Sequence, residues 1–305
     1  MDTHHLKICC ILNDRSGSAP GSERYDFTDL FAQHGIDVEI FTVRHGSSIV
    51  ELAENAVRRD YDVIVAGGGD GTISAVASAL VDHPTIRLGI LPLGTLNHFA
   101  RDLNIPPDIS QAVDVICAGY REAIDIGCVN ENYFLNNSSV GLYPAIVRLR
   151  ESLQGKGYSK WWAAALSSLR ILGRFRRLDL EVQFSGETVA RGKTALLFVG
   201  NNVYETTAGK LGTRLSIKRG ILAITMSKSS TRLGLLKSLA KLVFGRERPV
   251  DTLIFDATNV KVNSRSKMLT VANDGEVLHL DPPLNYRILP QALNVIVPVR
   301  NGENR

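Results

Sequence analysis

Two hydrophobic periodicities alternate over the first 125 residues. Short apolar runs rich in β-branched residues at 6–12 (LKICCIL), 37–43 (DVEIFTV), 62–67 (DVIVAG) and 86–92 (IRLGILP) predict buried strands. Helical spacing fills the gaps between them. Residues 47–59 place Ile49, Leu52, Ala53, Ala56 and Val57 on one stripe behind a serine cap, and 72–80 and 95–103 predict two further helices. Such alternation predicts a parallel sheet covered by helices, with a ligand at the loops that follow the strands' carboxyl ends.

Near residue 126 the pattern becomes strand-rich. Residues 132–142, 177–184, 193–201, 221–227, 252–263 and 268–280 read as strands, several with clear in–out alternation, and long helical connections are few. The expectation is an α/β N-terminal domain over 1–125 and a β-rich, antiparallel, sandwich-like C-terminal domain over 126–289. The terminal run LNVIVP (293–298) suits either one, so 290–305 is open to rejoining the first domain.

Composition adds little until charge is mapped. The 305 residues are 44% hydrophobic and 22% charged, ordinary for a globular chain long enough for a substantial core. No stretch reaches the roughly 20 apolar residues of a membrane span. The opening MDTHHLKICCIL lacks the layout of a secretory signal. Cys9, Cys10, Cys117 and Cys128 show no C-x-x-C spacing. A cytoplasmic protein is expected. The net charge is only +4, yet 148–177 hold eight Lys/Arg against one acid and 228–248 hold six against one, leaving the remainder acidic. One surface therefore expects an anionic partner. No nucleic-acid-binding motif accompanies the charge, so nucleic acid is not that partner.

The densest chemistry is IVAGGGDGTIS (64–74). A strand, then GGGDGT, then a helix lets backbone N–H groups approach an anion at a helix N-terminus. Neither G-x-x-x-x-G-K-[ST] nor G-x-G-x-x-G fits these residues. Asp70 beside phosphate would be repulsive, by about 4 kcal/mol for charges 4 Å apart at intermediate dielectric. A divalent cation between them reverses the sign, and Mg²⁺ characteristically joins one or two carboxylates to substrate phosphates. A nucleotide polyphosphate with a metal is the reading.

GGGDGT followed by PLGTLNHFARDL (92–103) resembles the catalytic domain of diacylglycerol-kinase-like lipid kinases, a superfamily that includes sphingosine kinases and, more distantly, NAD kinases. NDRSG (13–17), DIG (125–127), NNSSVGLYP (136–144), GNNVYE (200–205) and NDGE (273–276) extend the resemblance over nearly the whole chain. It implies transfer of the γ-phosphate of ATP, with Mg²⁺, to a lipid hydroxyl in an interdomain cleft. It implies nucleotide contacts at Gly67, Gly68, Gly69, Asp70, Gly71 and Thr72, with further ones at Thr95 and Asn97 and at Asn13, Arg15, Ser16 and Gly17. Thr42 joins them on position alone. Asp70 and Asp125 are the implied metal-network acids. Glu276 is the implied proton acceptor, with Asp274 as the other member of the carboxylate pair. Taken without the family, NDGE is a hairpin turn.

Four positions depart from the family pattern. Asp14 replaces a proline. His98 replaces the usual aspartate and removes a charge from the metal network. Lys218 and Arg219 replace acids that hold a structural magnesium, so that second site is expected to be missing. Two alternatives follow: a kinase for a soluble hydroxylated substrate, or a non-catalytic nucleotide- or lipid-sensing relative created by His98.

A lipid kinase must meet its substrate at a bilayer. Residues 232–246 put Leu236, Leu239 and Val243 on one helical stripe and Lys237 and Lys241 on another, and 159–177 set both tryptophans beside a run ending in four arginines. Both segments suit an interfacial helix on an anionic membrane, placing the protein peripherally at the inner face.

Overall fold

The computed structural model describes residues 6–14, 25–43, 47–141, 177–204, 214, 216–227 and 252–299. The basic segments 159–177 and 232–246 lie outside the described residues, apart from Arg177. The chain forms two compact units: one of Met1–Ile126 with Pro290–Arg305, the other of Gly127–Leu289.

The first unit contains β1 (Ile8–Asn13), α1 (Phe27–Ala32), β2 (Val38–Val43), α2 (Ser47–Arg58), β3 (Val63–Gly68), α3 (Asp70–Leu80), β4 (Arg87–Pro92), α4 (His98–Asp102), α5 (Ile109–Ala118) and the start of β5 (Arg121–Val129). Its strands run parallel in the order β2-β1-β3-β4. Every residue of β3 is buried, as are all but one of β1 and of β4, which explains their unbroken apolar runs. Helix α2 packs against α3, and α1 against α5. Chain order reverses direction between β1 and β3, which makes their carboxyl ends the topological switch point where open α/β sheets bind ligands.

The second unit holds β6 (Asn132–Phe134), β7 (Asn137–Gly141), β8 (Leu178–Phe184), β9 (Glu187–Thr194), β10 (Leu196–Asn201), β11 (Leu222–Ser227), β12 (Thr252–Ala257), β13 (Asn259–Ser264), β14 (Leu269–Asn273), β15 (Glu276–Leu280) and most of the visible pairing of β16 (Leu284–Ile296). Six strands form an antiparallel sheet in the order β12-β11-β10-β7-β14-β15. A second antiparallel set runs β16-β13-β8-β9. Alternate residues of both, among them Val140, Val182, Leu197, Ile224, Val262 and Val271, fill one apolar core. Each such side chain contributes about 1.5–3 kcal/mol when fully buried. Tyr286 lies wholly inside that core with its hydroxyl 3.2 Å from Ser138 Oγ, and burial pushes its pKa well above the usual phenol range.

Several sequence expectations need redrawing. The run 132–142 is two strands interrupted at 135–136, and 193–201 spans the end of β9 and the whole of β10. The helix expected over 95–103 is a turn followed by the short α4, because Asn97 takes a left-handed conformation (φ 47, ψ 48) that no helix interior allows. Helices α1 and α5 and strand β9 are additional. The terminal strand is settled by pairing: Asn294 and Val295 of β16 lie parallel to Arg87 and Leu88 of β4.

Candidate active site

Strand β3 runs directly into the glycine turn, and Gly69 forms the N-cap of α3 in an extended conformation (φ −88, ψ −176). None of these glycines takes a positive φ, so backbone freedom is not why they are glycines. Space is the reason. A Cβ on Gly67 would strike the Leu12 side chain, and one on Gly68 would strike Thr72. A Cβ on Gly69 would sit 3.4 Å from Gly94 Cα, and one on Gly94 would run into the Gly69 backbone. Two strand–helix turns, one after β3 and one after β4, thus pass main chain against main chain.

Asp70 locks them together. Its Oδ2 accepts the His98 N–H at 3.1 Å and its Oδ1 the Phe99 N–H at 3.0 Å, so the first residue of α3 caps α4. Asn97 donates through Nδ2 to the carbonyls of Pro92 and Gly94, both at 2.9 Å. Its buried Oδ1 finds no hydrogen-bond partner among the described residues. On the other side, Asn13 Nδ2 donates to Thr72 Oγ1 at 3.0 Å, bridging the switch point. Residues Gly67–Thr72, Asn13 and Asn97 are therefore brought together, while Thr95 and His98 lie exposed on the second turn. Thr42 aligns with Leu12, which in turn aligns with Gly67, leaving β1 between Thr42 and the glycines. Arg15, Ser16 and Gly17 fall outside the described residues.

Asp125, the other acid expected in the metal network, lies on β5. It is 1% exposed, and its Oδ1 accepts the N–H of Gln291, a residue held at φ 52 within β16. Among the described residues no group of three or more His, Cys, Asp or Glu side chains is arranged to hold a metal ion. Asp70 nevertheless suits a magnesium completed by phosphate oxygens and water. A carboxylate has about four lone-pair positions, and Asp70 uses one on each of two N–H groups. The turn before Gly220 does not suit a second metal. There the Arg219 N–H bonds Asn202 Oδ1 at 2.9 Å, the Lys218 N–H bonds Ser216 Oγ at 3.2 Å, and both basic side chains are exposed.

In the second unit, NDGE closes the β14–β15 hairpin, with Asn273 paired to Glu276 across it. Asp274 (φ 48) and Gly275 (φ 90) both take the positive φ that a type I′ turn requires. The Asp274 carboxylate accepts three consecutive backbone N–H groups: Leu135 at 2.7 Å, Asn136 at 2.8 Å and Asn137 at 3.0 Å. Glu276 heads β15 and is exposed. The opposite edge of 135–136 is held as well. Leu135 O accepts from Asn201 Nδ2 at 2.8 Å and Arg214 Nη1 at 2.6 Å, and Asn136 O from the Asn201 N–H at 2.8 Å and Tyr204 OH at 2.9 Å. Asn201, Tyr204 and Arg214 were given no role from sequence. The only signal available was that NNSSVGLYP and GNNVYE recur as family strings.

Comparison with known proteins gives the family and the fold. Residues 7–129 match the diacylglycerol kinase catalytic domain, and residues 150–297 the YegS C-terminal NAD kinase beta sandwich-like domain. A diacylglycerol kinase of Staphylococcus carnosus is 30% identical over 269 residues, covering 86% of this chain and 85% of its own length. One from Staphylococcus haemolyticus is 36% identical over 165 residues, and there the match spans only 48% of the relative's length. A diacylglycerol kinase crystal structure from Bacillus anthracis superposes with a TM-score of 0.70 at 19% identity, covering 97% of this chain and 98% of the other.

Proposed function

The chain belongs to the diacylglycerol kinase family of phosphotransferases with alcohol acceptors, and from that premise we propose that it transfers the γ-phosphate of ATP to the hydroxyl of a membrane lipid. The carrying observation is the Asp70 clasp, which makes GGGDGT and PLGTLN one continuous anion-facing surface at the switch point. The first turn of α3 directs backbone N–H groups and the positive end of its dipole at the phosphates, and its N-cap, Gly69, has no side chain to cover them. Asn97, with its unspent amide oxygen, and Asn13, through Thr72, define the rim.

Catalysis of phosphoryl transfer rests on positioning and charge stabilisation. Asp70 would hold the magnesium, which when bound offsets phosphate charge. Asp125, buried and with one carboxylate oxygen taken by the Gln291 N–H, would join it in the metal network. The lipid oxygen attacks the γ-phosphorus in line, its proton passes to the Glu276 carboxylate, and ADP leaves. Diacylglycerol, phosphatidylglycerol, a sphingoid base and a polyprenol all present a suitable hydroxyl. The basic segments 159–177 and 232–246 bring the enzyme to an anionic bilayer from the cytoplasmic side.

Incubation with γ-labelled ATP, Mg²⁺ and vesicles carrying each lipid in turn, beside soluble alcohols, tests the proposal. Label in the lipid fraction is the expected result, and label only on soluble acceptors rejects it. Nucleotide binding with no turnover, restored by His98→Asp, would identify a non-catalytic relative instead.

A further inference from the structure

We infer that Asp274 is a positioning residue whose three amide contacts, together with Asn201, Tyr204 and Arg214, fix the hairpin that presents Glu276, the proton acceptor of the proposed reaction. This rests on the lipid kinase reading for its catalytic half, while the tether itself stands on geometry.

The two carboxylates of NDGE have unlike surroundings. Asp274 turns into its own unit, and both of its oxygens are committed to main-chain N–H groups, Oδ1 to Asn136 and Asn137 and Oδ2 to Leu135. Its own N–H returns a bond to Asn137 O at 2.9 Å. The two-residue turn is thereby stitched to the break between β6 and β7. A hairpin tip of two residues at positive φ is otherwise free to rock, and Glu276 is the first residue beyond it.

What the tip is stitched to must itself be rigid, and the buried polar residues supply that. Asn201 is fully buried and Arg214 is 7% exposed, and both donate to Leu135 O. The Asn201 main chain and the Tyr204 hydroxyl hold Asn136 O. Tyr204 and Arg214 also pair with each other as an antiparallel bridge. The N–H groups of 135–137 are thus gripped by Asp274, and the C=O groups of 135 and 136 by Asn201, Tyr204 and Arg214. Such a grip is costly to build, since each buried polar group must be matched, and its natural use is to hold a reacting group to within a fraction of an ångström. Sub-ångström placement matters because a misplacement of about 1 Å can cost roughly 10²-fold in rate.

The test compares Asp274→Asn, Tyr204→Phe and Glu276→Gln in the full chain, measuring kcat and KM for ATP, the pH profile of kcat/KM on lipid vesicles, and hydrogen exchange over 135–137. Asparagine must set an NH₂ against one of the N–H groups, so faster exchange at 135–137 is expected. Its kcat should fall about 10²-fold with KM for ATP unchanged and the acid limb of the profile retained. Tyr204→Phe should show a smaller fall in kcat of the same kind, and it decides the matter should Asp274→Asn fail to fold. Loss of the acid limb in Asp274→Asn, or wild-type kcat in both variants, overturns the inference. Wild-type activity in Glu276→Gln would instead reject the assigned base, and the exchange data would still judge the tether.

Discussion

An aspartate that accepts main-chain N–H groups satisfies backbone that would otherwise be left unpaired, and it fixes the position of whatever follows. Asp70, Asp125 and Asp274 all work this way, each on backbone distant in sequence. Hydrogen bonds to a charged acceptor contribute roughly 1.5–3 kcal/mol each, about twice a neutral one. At Asp70 that duty coincides with the place where phosphate charge must be managed, so one substitution should show both effects. Asp70→Asn keeps one acceptor oxygen but turns an NH₂ toward either His98 or Phe99. We expect a folded protein with a Tm lower by a few degrees and phosphoryl transfer reduced at least roughly 10²-fold, read by calorimetry and by labelled-ATP assay. An unchanged rate would remove Asp70 from the chemistry. The residue types at this site were readable in the sequence, but their partners were not. Nothing in GGGDGT announces that its third glycine is pressed on Gly94, or that its aspartate caps a helix 28 residues away.

Elements follow local rules where those rules act alone. The stripe over 47–59 corresponds to α2, Ser47–Arg58, since its spacing suffices. Helix α5 has both end signals, with Asp108 Oδ1 accepting the Gln111 N–H at 3.0 Å and Gly119 in the left-handed conformation (φ 69) at its C-cap. Asp108→Ala should cost about 1 kcal/mol and lower Tm by about 2–4 °C with kcat unaffected, since α5 carries no residue assigned to the site. A denaturation series checks this, and a loss of activity at normal stability would contradict it. Local rules fail where tertiary contacts intervene. Residues 95–97 fit the helical pattern that leads into α4, yet Asn97 leaves it in order to bond Pro92 and Gly94. Residues 193–201 look like one strand, yet Thr194 turns its hydroxyl onto Leu196 and Ser227 carbonyls and separates β9 from β10.

At the scale of the whole molecule, burial decides the chemistry of the sulfur atoms. Cys9, Cys10 and Cys128 are buried and Cys117 half-buried. Burial pushes the Cys9 thiol up to about 12 and Cys117 to about 11, the latter helped by the Asp114 charge, and it raises Cys10 and Cys128 as well. Since the thiolate is the reactive form, an aromatic disulfide reagent at pH 8 should label little of the native protein within minutes, and all four cysteines once it is unfolded. Rapid native labelling of Cys9, Cys10 or Cys117 would mean that the first unit opens readily. The same scale separates what sequence and structure each decided. By itself the sequence determined the class of each half, the family and the glycine–aspartate motif, because period, length and residue type are properties of neighbouring positions. Tertiary structure alone decided that β16 joins β4, that the glycines are small to let two turns touch, and that Asp274 grips 135–137 while Glu276 stays exposed. Those outcomes depend on pairing between residues as many as 207 positions apart, as between Arg87 and Asn294. Only the closed chain can satisfy such backbone groups together, and no local pattern encodes which partner each will find.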